Sequence, residues 1–496
     1  MSTSGKVFSG VIWSIITNVV NALYGFLMIP ILINFFGKAE YGLIGLAQSI
    51  NAYMQLMDMG LTSTNVRFFS NWLAKNDDTK VRKLFSTCTA FYGFIGLINA
   101  IVLVVIYFFS AEIFNVSQEQ DSILKNLLLI LAVSAFVNWA TSCYNQIIQA
   151  TENVAWTQKR LLVTKLLMIA ALGVTVLCDL SITLYFFLTV LCNWVILPRV
   201  VSKIKEVAPM VSFFPKFDKA VFKEILPYTL NIFSFTIFSY SFMNLRPIFL
   251  GMQGTPNDVT DFKVIMGIYG IIMTVSNIFL STLLPTSSKA IANNDQKAFD
   301  RIAYDSTKYI MLFISLCVFG MLSIAKDLVI VYVGEDYLHL MPWLVCLLLT
   351  LLTNHIMGIS SLILGGSNIK PLSRMTAVSA VTGLIVAWFT IPYYGVGGTV
   401  IASVVYSLMQ IVFYYIYYWP NVMKINSWFI FNKIVLPVSV FSSIIYIAVS
   451  YIPDVKNEWI NIMVKGFSYT ILFLISSYLY INKNDKEFVK KLIYRK

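Results

Sequence analysis

The sequence predicts an all-α integral membrane protein with about fourteen transmembrane helices. Of the 496 residues, 58% are hydrophobic and only 12% are charged, and this is about half the charged share of a typical soluble domain. The apolar residues form continuous runs of roughly 20 residues, the length that crosses a bilayer as an α-helix. A membrane β-barrel would instead alternate apolar and polar residues over segments of about ten. These observations exclude a soluble protein and a barrel.

The apolar runs follow one another along the whole chain. The first run is longer than the apolar core of a signal peptide, and no small-residue cleavage site follows it, so we expect it to remain as a helix. The predicted spans are 7–36, 40–66, 84–109, 123–149, 161–179, 181–204, 224–250, 262–288, 306–325, 339–364, 372–393, 395–419, 430–451 and 459–482.

The positions of the basic residues predict the orientation. The formal charge is +12, and most of the 36 lysines and arginines fall on alternate loops, on the side of the N-terminus. Because cytoplasmic loops carry the excess of basic residues, we expect both termini in the cytoplasm and an even number of spans. The basic loops on the cytoplasmic side account for the net positive charge, so no nucleic acid is predicted as a partner.

The longest predicted cytoplasmic loop, residues 205–223, is interpreted as a linker between two halves. It separates an N-terminal six-helix bundle (1–204) from a C-terminal six-helix bundle (224–420), and two additional helices with a basic cytoplasmic tail follow (421–496). Halves that both begin in the cytoplasm predict a parallel repeat, related by a pseudo-twofold axis along the membrane normal. Two weak internal matches support the repeat: residues 71–84 with 289–302, and residues 147–160 with 362–374.

Polar side chains form stripes within several predicted spans. In span two they recur at steps of three and four, which keeps them on one face of a helix. This stripe comprises Gln48, Asn51, Gln55, Asp58, Thr62 and Asn65. Shorter stripes are Asn138, Thr141, Asn145 and Gln149 in span four, Ser14, Asn18 and Asn21 in span one, and Asn231, Ser234, Ser241 and Asn244 in span seven. We predict that these faces line a wet cavity, with Asn51, Gln55, Asn145 and Asn244 as cargo-binding candidates. The alternative is that they hydrogen-bond between packed helices.

Four short motifs punctuate the chain. They are FFGKAEYGLIGL (35–46), MDMGLTSTNVRFFS (57–70), LGGSNIKPLSR (364–374) and YYGVGGTVIASVVYS (393–407). Their order and spacing resemble the signatures of the MOP superfamily of MATE-like flippases and exporters, and most closely those of the Wzx-type polysaccharide flippases.

This resemblance implies a V-shaped transporter of two six-helix bundles that works by alternating access. It implies a cargo of polyprenyl-pyrophosphate-linked oligosaccharide repeat units, moved across the bacterial inner (plasma) membrane for O-antigen, lipopolysaccharide or capsule biosynthesis. The glycan and an association with a polymerase or other assembly protein stay open. Arg246 stands where relatives often have an acidic residue, so no cation-coupling role is carried over to that position.

Charged residues within the spans are candidates for function. Asp58 and Arg67 lie nine residues apart, which at about 100° per residue places them on opposite faces of a helix. Asp58 must therefore find another partner, face water or take up a proton. Asp58 and His355 are the candidates for coupling to H⁺ or Na⁺. The alternatives are a structural hydrogen-bond acceptor for Asp58 and a satisfied buried imidazole for His355.

Arg246, near the predicted outer end of span seven, is the first candidate to bind the pyrophosphate. A guanidinium can hold a phosphate with two parallel hydrogen bonds. The alternative is a side chain that reaches out to the lipid headgroups. Lys465 is expected to be interfacial and to have no role with cargo.

Two other functions remain as alternatives. A multidrug or cation-coupled exporter of the same superfamily would favour acidic cavity residues, of which Asp58 is the one clear example. A membrane glycosyltransferase or polysaccharide polymerase would need a large outer loop or a general acid/base pair, and the sequence has neither. No catalytic residue, cofactor or metal site is predicted, because the six cysteines have no paired metal-ligand spacing.

Overall fold

The computed structural model describes residues 3–365 and 370–481 of the chain. All regular elements of these residues are helical, as the sequence predicts. The first half of the chain contains α1 (Thr3–Phe36), α2 (Lys38–Met54), α3 (Leu61–Ala74), α4 (Asp78–Phe108), α5 (Ser110–Ile113), α6 (Gln118–Ala140), α7 (Ser142–Ala150), α8 (Val154–Leu177), α9 (Ile182–Trp194), α10 (Leu197–Val207) and α11 (Lys219–Gln253). The second half contains α12 (Pro256–Ala292), α13 (Gln296–Asp300), α14 (Thr307–Val333), α15 (Met341–Thr350), α16 (Met357–Gly365), α17 (Lys370–Tyr394), α18 (Val396–Val412), α19 (Ser427–Ile430), α20 (Leu436–Ser450) and α21 (Glu458–Tyr480).

The number of membrane crossings agrees with the prediction of about fourteen. Within the described residues, 12 helical segments are long and apolar enough to cross a bilayer. The other two predicted spans correspond to the interrupted pair α2 and α3 and to α11, which contains two prolines. A helix pairs its backbone N–H and C=O groups internally, and this is required in hydrocarbon, which offers no hydrogen-bond partners. The predicted class, an all-α multi-pass membrane protein, is confirmed.

Several spans contain short stretches with tighter or looser helical turns. A 3₁₀ turn at Gln55–Asp58 separates α2 from α3, and another at Leu351–Ile356 separates α15 from α16. π-Helical turns occupy Arg301–Ser306, Phe413–Met423 and Phe431–Val435. Irregular turns of these kinds inside helices often accompany functional sites.

Contacts divide the chain into two compact units. The first unit comprises residues 1–263 with 384–399, and the second comprises residues 264–383 with 400–496. In the first unit α4 packs along α6, and α1 packs along α8. In the second unit α14 is central and packs against α20 and α21. The division into two six-helix bundles stays a prediction.

The connection between α10 and α11 is attached to the start of α4. The backbone N–H of Asp218 donates to Thr87 Oγ1 at 3.0 Å. The Asp218 carboxylate in turn caps α11 by accepting from the backbone N–H of Val221, and it pairs with Lys83 at 3.2 Å. These two interactions hold the pKa of Asp218 below its ordinary value.

The first of the two internal matches has the same backbone geometry at both places. After α3 and after α12 the chain turns through an asparagine with positive φ, Asn76 (φ 55°) and Asn294 (φ 50°). The aspartates that follow, Asp77 and Asp295, each accept from the backbone N–H three residues later and so cap the next helix. The second match includes residues 366–369, which lie outside the described residues.

Candidate functional site

A cavity of about 440 Å³ lies in the first unit, between the end of α2 and the start of α3. Volumes of roughly 300–1,000 Å³ are typical of ligand sites. Its wall combines amide and carboxylate groups with aromatic rings, and includes Asn51, Gln55, Asp58, Asn138, Trp139 and Tyr240.

The cavity exists because predicted span two is not one continuous helix. The chain forms a 3₁₀ turn at Gln55–Asp58 and then passes through two residues in the left-handed region, Met59 (φ 52°) and Gly60 (φ 81°). Glycine adopts this conformation at little cost, whereas Met59 is strained. The six polar residues of span two therefore do not share one continuous helical face, because the helix is broken at Gly60. Asn51, Gln55, Asp58 and Thr62 nevertheless line the cavity, whereas Gln48 and Asn65 do not.

Asp58 holds this break in place. Its Oδ2 accepts from the backbone N–H of Thr62 at 3.1 Å, and its Oδ1 accepts from Thr62 Oγ1 at 3.0 Å and from the Tyr92 hydroxyl at 2.7 Å. The first turn of α3 has unsatisfied N–H groups and a partial positive charge, which a carboxylate stabilises. Asp58 thus acts as a structural hydrogen-bond acceptor while it also lines the cavity.

A hydrogen-bond network continues from Asp58 into the protein interior. Gln146 Nε2 donates to the Tyr92 hydroxyl at 2.9 Å and to Thr62 Oγ1 at 3.0 Å. Asn65 Nδ2 donates to Gln146 Oε1 at 2.9 Å, and the Cys88 thiol donates to Asn65 Oδ1. Asn65 is fully buried, so this part of the predicted cavity face instead joins α3, α4 and α7.

Arg67 interacts with an aromatic ring rather than with Asp58. Its guanidinium carbon lies 4.2 Å from the centroid of the Tyr228 ring, which is a cation–π geometry. Among the described residues no ion pair joins Arg67 to Asp58. Arg67 thus does not neutralise Asp58, although the helix in which the two were expected on opposite faces is broken between them.

The four amide candidates occupy different environments. Asn51 and Gln55 line the cavity. Asn145 and Asn244 are not among its lining residues. Asn145 Oδ1 is buried without a hydrogen-bond partner in the described part of the chain, and Asn244 Nδ2 donates to the carbonyl of Tyr240 at 2.9 Å.

Arg246 is buried away from the cavity wall. It is 3% exposed, so it does not reach out to headgroups. Its Nε donates to the Phe242 carbonyl at 3.0 Å and its Nη1 to the Thr399 carbonyl at 3.4 Å. The guanidinium also lies 4.4 Å and 5.6 Å from the ring centroids of Phe242 and Phe262. In this conformation Arg246 binds backbone carbonyls of its own unit.

His355 lies in the second unit, within the 3₁₀ turn Leu351–Ile356. It is 2% exposed, and both ring nitrogens have partners. Nδ1 is 2.8 Å from the Leu352 carbonyl, and Nε2 is 2.7 Å from the Tyr415 hydroxyl. This geometry is that of a satisfied buried imidazole.

Lys465, which was expected at the membrane interface without a role in cargo binding, is buried within the protein. It is 8% exposed and pairs with the buried Asp327 at 3.5 Å and, more closely, with Asp454. Asn461 Nδ2 also donates to Asp327 Oδ1 at 3.0 Å. Lys465 therefore neutralises a buried carboxylate of α14.

A dense contact joins α2 to the end of α11 and the start of α12 within the first unit. Lys38 Nζ pairs with Asp261 at 2.6 Å, and Thr260 Oγ1 donates to the Lys38 carbonyl at 2.6 Å. A Cβ at Gly42 would lie only 1.9 Å from the Pro256 carbonyl oxygen. The backbones touch here because Gly42 has no side chain.

Sequence reasoning missed two central members of the site, Tyr92 and Gln146. The signal for Gln146 lies in span four, which is interrupted at Thr141 between α6 and α7. The Thr141 hydroxyl donates to the Val137 carbonyl at 2.8 Å, a bond that often bends helices. Because the helix is interrupted, the predicted polar face does not continue past Thr141. Gln146, rather than Asn145, therefore hydrogen-bonds to Thr62 and Tyr92, the partners of Asp58.

The described residues offer no cluster of three or more His, Cys, Asp or Glu side chains that could hold a metal ion. All six cysteines are free thiols. The side chain of Asn231, a member of the predicted stripe of span seven, lies outside the described part of the structure.

Comparisons with known proteins identify the family and the fold. The family model described as "Polysaccharide biosynthesis protein" matches residues 7–291. No curated protein matches the chain. Among solved structures the chain is similar to the lipid II flippase MurJ in an inward-closed conformation, with a TM-score of 0.73, 14% identity, and coverage of 95% of this chain and 98% of MurJ.

Two structures of multidrug resistance MATE family transport proteins of the MOP superfamily, one inward-facing and one outward-facing, are also similar. The inward-facing one gives a TM-score of 0.62 at 14% identity and covers 79% of this chain and 92% of its own. The outward-facing structure gives a TM-score of 0.57 at 14% identity, and the match covers 83% of this chain and 94% of the transporter. At this identity the solved structures show the fold alone, whereas the family model covers more than half of the chain. The chain belongs to the polysaccharide biosynthesis protein family and has the multi-pass membrane fold of the flippases and transporters of the MOP superfamily.

Proposed function

We propose that the protein is a flippase that moves a polyprenyl-pyrophosphate-linked oligosaccharide from the cytoplasmic to the periplasmic leaflet of the bacterial inner membrane. The product would be a repeat unit for O-antigen or capsule. The observation that carries this proposal is the cavity around Asp58, which offers sugar-binding groups in a chain of the polysaccharide biosynthesis family.

The wall of this cavity suits a carbohydrate. Sugar hydroxyls donate and accept hydrogen bonds, and the amides of Asn51 and Gln55 also do both, while the Asp58 carboxylate accepts. The rings of Trp139 and Tyr240 offer flat apolar surfaces, against which the C–H face of a sugar ring can be buried. A few placed polar groups among apolar walls fix the orientation of a bound ligand.

Arg246 remains our candidate for the pyrophosphate. Its two carbonyl partners, Phe242 and Thr399, are neutral acceptors, and hydrogen bonds to an anionic phosphate are roughly twice as strong. We expect Arg246 to exchange these carbonyls for the pyrophosphate when cargo is bound. Its burial keeps the dielectric low, which strengthens that attraction.

Transport by alternating access requires a contact that closes one end of the cargo pathway and breaks when that end opens. We assign this role to the contact of Lys38 with Asp261 and of Gly42 with Pro256. By the predicted topology these residues lie at the periplasmic end, and both termini are cytoplasmic. Ion coupling would use Asp58, whose protonation or occupation by Na⁺ would weaken its bond to the start of α3. His355 is the weaker candidate, because both its nitrogens are engaged.

The rival function is export of cationic drugs, and the Asp58 carboxylate in the cavity wall is the observation that favours it. A deletion strain separates the two functions. We expect lipid-linked glycan to accumulate in the cytoplasmic leaflet of that strain, and the wild-type chain to restore export. Normal glycan export with increased drug sensitivity would instead identify a drug exporter.

Variants test whether the cavity itself binds the cargo. Asn51→Ala with Gln55→Ala removes two lining amides, and we expect export to fall about tenfold or more, since each lost hydrogen bond costs about 1 kcal/mol. Gln48→Ala is the matched control, because Gln48 is an exposed amide of α2 outside the cavity. Equal export by the double variant and the control would contradict the assignment of the cavity.

A further inference from the structure

A second cavity, of about 610 Å³, lies in the second unit. Its wall is formed by the π-turn before α14, the first residues of α14, the segment from Asn426 to Ile434, and the last residue of α21, Tyr480. It shares no residue with the cavity around Asp58. The proposed translocation of cargo makes no use of it.

Contacts at the rim hold this cavity open. The backbone N–H of Asn426 donates to the Tyr304 hydroxyl at 3.0 Å, and the rings of Tyr304 and Phe429 meet edge to face with centroids 5.5 Å apart. On the other side the Tyr480 hydroxyl donates to the Lys433 carbonyl. Three separate segments are thus joined around a space that their own side chains do not fill.

The polar groups of the wall favour an anion. Two lysines, Lys308 and Lys433, line the cavity together with one carboxylate, Asp305. Lys308 Nζ lies 5.2 Å from the ring centroid of Tyr309. Lys433 is exposed and makes no ion pair within the described residues. Two ammonium groups facing one cavity attract a phosphate more strongly than either alone.

Apolar surface continues from the cavity along the neighbouring helices. On α20, Leu436 and Val440 are 45% and 48% exposed, and on α21 Leu479 is 75% exposed. The charge distribution predicts this end of the unit to be cytoplasmic, where anionic lipid headgroups lie. A pocket whose wall carries two lysines, beside exposed apolar side chains, is suited to a molecule with a phosphate head and hydrocarbon tails.

We propose that this cavity binds the phosphate headgroup of one anionic membrane phospholipid, held by Lys308 and Lys433, with its acyl chains along α20 and α21. The lipid would bridge α14 to the two additional helices. Basic pockets between transmembrane helices on the cytoplasmic side are a known form of lipid recognition.

The test uses purified full-length protein in detergent, titrated with phosphatidylglycerol and followed by native mass spectrometry. We expect one phosphatidylglycerol to bind saturably and phosphatidylcholine not to compete with it. Lys308→Ala with Lys433→Ala should weaken this binding about 30-fold, because each lysine contributes about 1 kcal/mol, or about fivefold, and the two contributions multiply. Lys308→Arg with Lys433→Arg should retain it, which shows that the fold tolerates changes at both positions.

The matched control is Lys289→Ala with Lys424→Ala, which removes the same charge from two exposed lysines of the same unit outside the cavity. Equal phosphatidylglycerol binding by this control and the Lys308/Lys433 double alanine variant would overturn the proposal. Displacement of the lipid by equimolar inorganic phosphate would overturn it in favour of a free-anion site. Preference for polyprenyl phosphate over phosphatidylglycerol would overturn it in favour of a cargo site.

Discussion

The contact between α2 and the start of α12 gives the sharpest prediction, through Gly42→Ala. An added Cβ would lie 1.9 Å from the Pro256 carbonyl oxygen and 2.9 Å from Thr260 Oγ1. Real Cβ atoms do not approach backbone oxygens below 3.0 Å, so the two backbones must separate by roughly 1 Å. That separation stretches the Lys38–Asp261 ion pair and the Thr260–Lys38 hydrogen bond.

Overpacking of this kind costs about 1–3 kcal/mol. If the cost falls on the closed state of this contact alone, the population of the open state rises roughly 5- to 150-fold. Amide hydrogen exchange, measured by mass spectrometry on segment 38–46, reports that population when closing is fast. We therefore expect exchange of this segment to accelerate by the same factor and glycan export to fall.

Gly93→Ala is the matched control, because a Cβ at Gly93 in α4 would meet no atom within 4 Å. We expect its exchange and export to equal those of the wild type. Unchanged exchange of segment 38–46 in Gly42→Ala, with normal export, would refute the assignment of this contact as a closure. A loss of protection along the whole chain would show general destabilisation instead.

The remaining predictions concern charged groups. Lys38→Asp should reduce export, and Lys38→Asp with Asp261→Lys should restore part of it; if the double reversal is no better than the single, the pair does not act as a unit. Asp58→Asn should remove the dependence of export on pH or Na⁺ while the chain still inserts, and a transporter that keeps this dependence excludes Asp58 from coupling. Arg246→Ala should abolish most export with the thermal midpoint within a few degrees of wild type, and Arg246→Lys should recover only part, since Lys cannot form two parallel bonds; full export by Arg246→Ala would end its cargo role. Lys465→Met should lower the free energy of unfolding in detergent by about 3–5 kcal/mol, because it leaves a buried carboxylate unpaired, and an unchanged midpoint would contradict that pairing.

Hydropathy predicted most of the fold. The positions of the spans follow from apolar length alone. The repeated turns at Asn76 and Asn294 follow from residues that tolerate positive φ and cap helices. These features depend on neighbours within a few positions of the chain, which the sequence displays directly.

The partners of the intramembrane charges depend on the fold instead. A charge in hydrocarbon must find a partner, but the sequence does not say which one. The Arg246 guanidinium reaches the Thr399 carbonyl, 153 residues away, and Lys465 reaches Asp327, 138 residues away. The sequence therefore marked both residues as unusual, but it did not identify Thr399 or Asp327 as their partners.

Asp58 shows how a residue inside a span can be a structural hydrogen-bond acceptor and also line a cavity. Ideal helix geometry misses the break at Gly60 that makes Asp58 the acceptor for the first turn of α3. The same break opens the cavity that Asp58 lines. A ligand that competes for this carboxylate therefore also competes with Thr62 and Tyr92 for the bonds that fix the break. A ligand bound to Asp58 would thus be coupled to the conformation of span two through one side chain, so the two interpretations of Asp58 do not exclude each other.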